Sequence, residues 1–270
     1  MTQGVADVNR RRTWMFAIAT IAVLAVVCWI HDILASFHTY RRLYKSHPFY
    51  VAESIDKIGG VVLCVVAIWL LRRVRWKEMA HELGLATSFS RGIAFGFAAT
   101  LPMLVGFALT HSITPHMQAA EILFLTVFSP IVEEIEFRGL GMRVLQRGTG
   151  WPFWVVVWPQ ALLFGLGHIE KGQNIADMAG LLLVTGTGGV VFAWLAYRWQ
   201  SLWFSISVHI LVNLWWSVFS VSKTAIGGWF PFVLQAITIF AAIAITLRWS
   251  RRPSHAKTGV EIAEAETCRK

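Results

Sequence analysis

The sequence predicts an all-α integral membrane protein, a bundle of about eight transmembrane helices around an intramembrane active-site cavity. Three observations carry that prediction. Of the 270 residues, 56% are hydrophobic and only 14% charged, against roughly 25% charged in a soluble domain, and the mean hydropathy is +0.58. The apolar residues fall in blocks of membrane-spanning length, about 17–25 residues. Inside those blocks lie groups suited to chemistry, Glu133, Glu134, Arg138, His168, His209 and Asn213. Hydrocarbon offers no water to solvate a charge, so ionisable residues at that depth point to function.

The blocks run about 13–36, 57–74, 92–111, 118–146, 151–168, 175–197, 201–220 and 229–249. The first lacks a small-x-small cleavage site before His31-Asp32 and reads as a retained span rather than a signal peptide. Residues 37–56 read as a basic loop. The polar stretch Lys77–Ser90, with Glu78, His81, Glu82 and Gly84, reads as a short interfacial helix and turn. The fourth block, at 1.5 Å per residue, is roughly 43 Å long and exceeds the ~30 Å hydrocarbon core, so it must tilt, kink or protrude. Pro159 is expected to bend the fifth block. Gly180, Gly186, Gly188 and Gly189 let the sixth approach its neighbours closely. The chain thus divides into N-terminal transmembrane helices with an interfacial segment (1–117), a core (118–220), a last transmembrane helix (221–252) and a polar, disordered tail (253–270).

The net charge of +9 does not indicate nucleic-acid binding. Its basic residues cluster at block ends, as in Arg10-Arg11-Arg12, Arg72-Arg73-x-Arg75-x-Lys77, Arg143 with Arg147, and Arg248 with Arg251-Arg252. That is the pattern of cytoplasmic flanks, and it suits a surface of anionic lipid. It places both termini in the cytoplasm, with Arg41, Arg42, Lys45, Lys57, Lys171 and Lys223 on the other side. Trp151, Trp154, Trp199 and Trp203 sit at predicted borders, where aromatic belts form. The three cysteines, Cys28, Cys64 and Cys268, are odd in number and show no metal-ligand spacing. Cys268-Arg269-Lys270 is not a C-a-a-X lipidation box.

Three polar signals remain. In Glu133-Glu134-Ile135-Glu136-Phe137-Arg138, helical spacing makes Glu134 and Arg138 an i, i+4 ion pair with the acid first. Such a pair supports a site or simply fixes helix packing. Glu133 then points elsewhere without a local cation, an arrangement suited to a general base. Glu136 lies i+3 from Glu133, as a second cavity acid or a modulator acting by like charge. His168 follows Phe164 by one helical turn. His209 and Asn213 share a face at i, i+4, and both donate hydrogen bonds, either to a developing oxyanion or to neighbouring helices. His31-Asp32, His38, His47, His111 and His116 fall at block ends or in loops and read as solvated. On straight helices the depths disagree: Glu133 lies about 20 Å, His168 about 25 Å and His209 about 12 Å from the cytoplasmic ends. Gathering them requires protrusion of the fourth block and bending at Pro159.

Ser129-Pro-Ile-Val-Glu-Glu-Ile-Glu-Phe-Arg-Gly-Leu resembles the first motif of the CAAX-protease and bacteriocin-processing (CPBP) family, the type II CAAX prenyl endopeptidases. Phe164-x-x-x-His168 is similar to their second motif, and Tyr197 to Asn213, with His209-x-x-x-Asn213, to the third. The resemblance covers roughly residues 118–220. It implies an eight-helix bundle that hydrolyses a peptide bond in or at the membrane. Glu133 and His168 would activate water, His209 and Asn213 stabilise the oxyanion, and Glu134 with Arg138 support them. The family has been described as both glutamate-type and metal-dependent. The chain has no H-E-x-x-H and no carboxylate–histidine spacing within one helix that demands zinc, so no cofactor and no metal is expected. The zinc alternative would use Glu133, His168 and His209 as ligands. Glu136 departs from the apolar residue expected at its place. The implied partner is a membrane-associated or lipidated protein or peptide, and the implied location a bacterial inner membrane. Two other classes compete: a non-catalytic immunity or scaffold protein, and a proton-coupled transporter, which would show the inverted repeats absent here.

Overall fold

The computed structural model describes residues 2–113, 117–172, 174–221 and 228–250. Helices make up the fold, with no strand among the described residues. They are α1 (Thr2–Cys28), α2 (Ile30–Ala35), α3 (His38–Ser46), α4 (Phe49–Arg72), α5 (Met79–Leu83), α6 (Phe89–Thr110), α7 (119–149), α8 (Phe153–Leu166), α9 (Ile175–Trp199), α10 (Trp203–Val218) and α11 (Trp229–Trp249). The eight expected spans are α1, α4 and α6 to α11. Five of these, α1 over Val8–Cys28, α4, α6, α9 and α11, are long and apolar enough to cross a membrane. The other three form the polar heart: α7 carries the acidic motif, while α8 and α10 are only 14 and 16 residues long. The tail beyond 250 lies outside the described residues.

Two expectations are corrected at the N-terminal end. Residues 37–56 do not form a loop: α3 occupies 38–46 and α4 begins at Phe49, so Lys57 lies within a helix rather than at its edge. The reason is a buried polar anchor. Tyr40 of α3 and His31 of α2 both hydrogen-bond Asp56 on α4, with His31 Nδ1 2.8 Å from Asp56 Oδ2. Burial and the adjacent Asp56 carboxylate push the Tyr40 phenol well above its ordinary range. The interfacial segment is realised as a 3₁₀ turn, Trp76–Glu78, followed by α5. Gly84 ends α5 at φ 82°, a left-handed conformation that glycine adopts without cost. Its carbonyl accepts from Leu202 N–H (3.0 Å) and so ties this turn to the start of α10.

The helix contacts that position the site rely on small residues. A Cβ at Gly92 or Gly96 of α6 would come within 2.6–2.7 Å of Trp203 or Ser207 on α10. Ser207 Oγ donates to the Gly92 carbonyl at 2.6 Å across that contact. Gln160 of α8 donates to the Gly189 carbonyl of α9 at 3.2 Å, and Gly189 faces Ala161 closely. Pro159 lies within α8.

The long helix α7 is not uniformly α-helical. Phe124–Phe128 and Glu134–Val144 are π-helical, with α turns between and beyond them. The i→i+5 pattern widens and shortens the helix, a distortion often found at functional sites. The second segment begins at Glu134, the first residue after Glu133 and the one that pairs with Arg138.

Candidate active site

Glu134 and Arg138 are completely buried. Arg138 Nη1 lies 3.1 Å from Glu134 Oε1, and its guanidinium sits 4.4 Å from the Phe164 ring centroid and 5.4 Å from that of Phe192. Burial without water makes such a pair costly unless other contacts support it; here two aromatic faces do so. His209 supplies a third partner, its Nδ1 3.0 Å from the same Glu134 oxygen. A carboxylate only accepts, so His209 Nδ1 carries the proton and Nε2 faces away. That nitrogen lies 3.8 Å from Glu133 Oε2. The ring stacks on Phe192, 5.0 Å between centroids.

Glu133 does not lack a cation. Lys57 Nζ of α4 lies 2.7 Å from Glu133 Oε1, and Ser129 Oγ, one turn back on α7, donates to the same oxygen at 2.7 Å. The expectation of an unpaired carboxylate considered only neighbours along the helix, whereas the ammonium arrives from a helix 76 residues away. Glu136 is buried, 3% exposed, and is not among the cavity-lining residues. It lies against Gly60 of α4, in space that a side chain there would fill.

His168 lies just past the end of α8, before the 3₁₀ turn Ile169–Lys171. Its Nδ1–H donates to the Phe164 carbonyl at 2.7 Å, with the two rings 4.7 Å apart. This leaves the lone pair on Nε2. Phe164 thus holds His168 through its carbonyl and covers Arg138 with its ring. Asn213 donates to the Leu125 carbonyl in the first π segment at 3.2 Å. The amide has a second N–H.

Glu133, His168, His209 and Asn213 line one cavity of about 490 Å³, together with Ser129. Two π segments interrupt α7, and α8 ends at Leu166, before the histidine. The remaining walls are mainly apolar, from Val184 and Val191 of α9, Val212 of α10 and Ile239 of α11. Gly188 leaves open space on the α9 side. Among the described residues, no group of three or more His, Cys, Asp or Glu is spaced to hold a metal ion. Lys57 and Ser129 are site residues that sequence reasoning did not single out. A lysine inside an apolar segment was the available signal for the first.

The fold and site define a class: a polytopic, all-α integral membrane protein with a largely apolar cavity that bears carboxylate, histidine and asparagine side chains. The family model of the type II CAAX prenyl endopeptidase Rce1-like proteins matches residues 115–215. The chain is 30% identical over 186 residues to "Putative membrane peptidase YdiL" of Bacillus subtilis (strain 168), covering 60% of this chain and 70% of that protein. No solved structure matches. The chain belongs to the type II CAAX prenyl endopeptidase Rce1-like family. It is a membrane protease of the CAAX type, and its substrate is a membrane-associated peptide or protein.

Proposed function

We propose that the chain is a glutamate-type intramembrane endopeptidase that hydrolyses a peptide bond of a membrane-associated or lipidated protein with no metal. The observation that carries this reading is the convergence of Glu133, His168, His209 and Asn213 from three helices on one largely apolar cavity.

In this mechanism a water molecule enters beside Glu133 and His168. Glu133 takes a proton as the water oxygen bonds to the scissile carbonyl carbon. The carbonyl π electrons move to oxygen, and His209 Nε2–H and the second N–H of Asn213 stabilise the oxyanion. His209 donates from Nε2 only as imidazolium, since Nδ1–H is committed to Glu134. Glu134 at 3.0 Å and Glu133 at 3.8 Å flank that ring. Collapse of the tetrahedral adduct breaks the C–N bond. The nitrogen takes the proton held by Glu133, and a carboxylic acid and an amine leave. Arg138 holds Glu134, and so holds His209.

The donor set supports the metal-free reading. A catalytic zinc usually takes three protein ligands and leaves one position open. Glu133 Oε1 already meets an ammonium, a poor neighbour for a dication. The clustered arginines at helix ends support both termini in the cytoplasm of a bacterial inner membrane. Proteomic comparison of membrane-protein termini in cells carrying wild-type or Glu133→Gln protein tests the reading. Termini processed only with the wild type support it. Identical termini would favour a non-catalytic scaffold.

A further inference from the structure

We propose that Lys57 is a positioning residue of the active site: from α4, outside the segment 115–215, it holds Glu133 in the orientation that presents one carboxylate oxygen to the cavity. The inference rests on the protease reading and extends the machinery to a helix that the motifs do not include.

The geometry is specific. Glu133 Oε1 accepts from both Lys57 Nζ and Ser129 Oγ, each at 2.7 Å. With that oxygen held from two directions, Oε2 is the one left toward His209 and the water site. A glutamate has three rotatable side-chain bonds, and anchoring one oxygen removes most of their freedom. Lys57 does not line the cavity, so it acts through Glu133 rather than on the substrate.

The register between α4 and α7 supports the same conclusion. Lys57 and Gly60 are i, i+3 on α4, and Glu133 and Glu136 are i, i+3 on α7, so each pair shares a face. Lys57 meets Glu133. Gly60, lacking a side chain, makes room for Glu136, which lies within electrostatic reach of Lys57. One ammonium thus pairs with Glu133 and lies within electrostatic reach of Glu136, which does not line the cavity. A lysine at this depth in an apolar helix is costly unless it is paired. Its pairing partner is the residue assigned as general base.

The test uses the full-length protein in liposomes and a panel of fluorescence-quenched peptides, prenylated and unlipidated. Lys57→Met should lower kcat by about 10²-fold, the cost of a misplaced catalytic group, with KM within about twofold because uniform substrate binding is untouched. Lys57→Arg should recover much of the loss by restoring the cation. Melting temperatures of Lys57→Met, Glu133→Gln and the double variant give a readout independent of cleavage. The double variant should lose less than the sum of the singles. An active chain whose Lys57→Met variant turns over normally, or whose Lys57→Arg is as slow as Lys57→Met, overturns the positioning role alone. Additive melting shifts would overturn the pairing itself. A wild type that cleaves no peptide overturns the protease reading and this role with it.

Discussion

His209 Nδ1 and Arg138 Nη1 converge on one oxygen of Glu134, at 3.0 and 3.1 Å. Glu134 is therefore the hinge between a buried cation and a cavity-lining imidazole. Glu134→Gln should remove the charge that orients both. The expected outcome is a loss of about 3–5 kcal/mol of stability from the uncompensated arginine, together with weaker cleavage by the fraction that remains folded. Thermal unfolding in detergent and turnover per folded molecule check the two parts.

Arg138 makes its ion pair while lying between aromatic rings, 4.4 Å from Phe164 and 5.4 Å from Phe192. Arg138→Ala leaves Glu134 buried and unpaired, and is expected to cost about 3–5 kcal/mol. Arg138→Lys should recover only part of this, because a compact ammonium cannot stack as the planar guanidinium does. Melting temperatures in the order wild type, Lys, Ala are the expected result.

The α6–α10 contact sets the position of His209. Gly92→Ala would bring a Cβ within 2.7 Å of Trp203 backbone atoms, which cannot rotate away. Overpacking of this kind costs about 1–3 kcal/mol. The same substitution at Gly188, where nothing lies within 4 Å of an added Cβ, should leave the melting temperature within experimental error.

If water is activated by Glu133 and His168 directly, activity should survive exhaustive chelation, and no stoichiometric metal should copurify. Elemental analysis with activity assays before and after chelation checks this. About one zinc per chain, with activity lost on chelation and restored by zinc, would instead make Glu133, His168 and His209 ligands.

Much of this architecture was legible in the sequence. The helical blocks follow from hydrophobic run length, and the Glu134–Arg138 pair follows from spacing. That pair is compatible with a helix of either period, so the π turns of α7 left no separate mark. The Glu133–Lys57 pair was not legible, because local spacing carries no information about a helix 76 residues away. Lys57 stands in the sequence at the start of the block 57–74 and counts there as a flanking charge. The buried Tyr40–Asp56–His31 contacts, which turn residues 38–46 into α3 and draw Lys57 inside α4, are tertiary. The spacing predicts His168 one helical turn along α8 from Phe164. It lies instead beyond the end of that helix, where its hydrogen bond to the Phe164 carbonyl preserves the proximity that the spacing suggested.

The central claim is that Glu133 takes the proton of the attacking water. The rate of peptide cleavage by purified Glu133→Gln in liposomes, compared with wild type at equal amounts of folded protein, tests it most directly. The amide keeps nearly the same shape but cannot accept that proton, so the account predicts a fall in kcat of at least about 10²–10⁴-fold, the usual contribution of a general base. Turnover at the wild-type rate would contradict it.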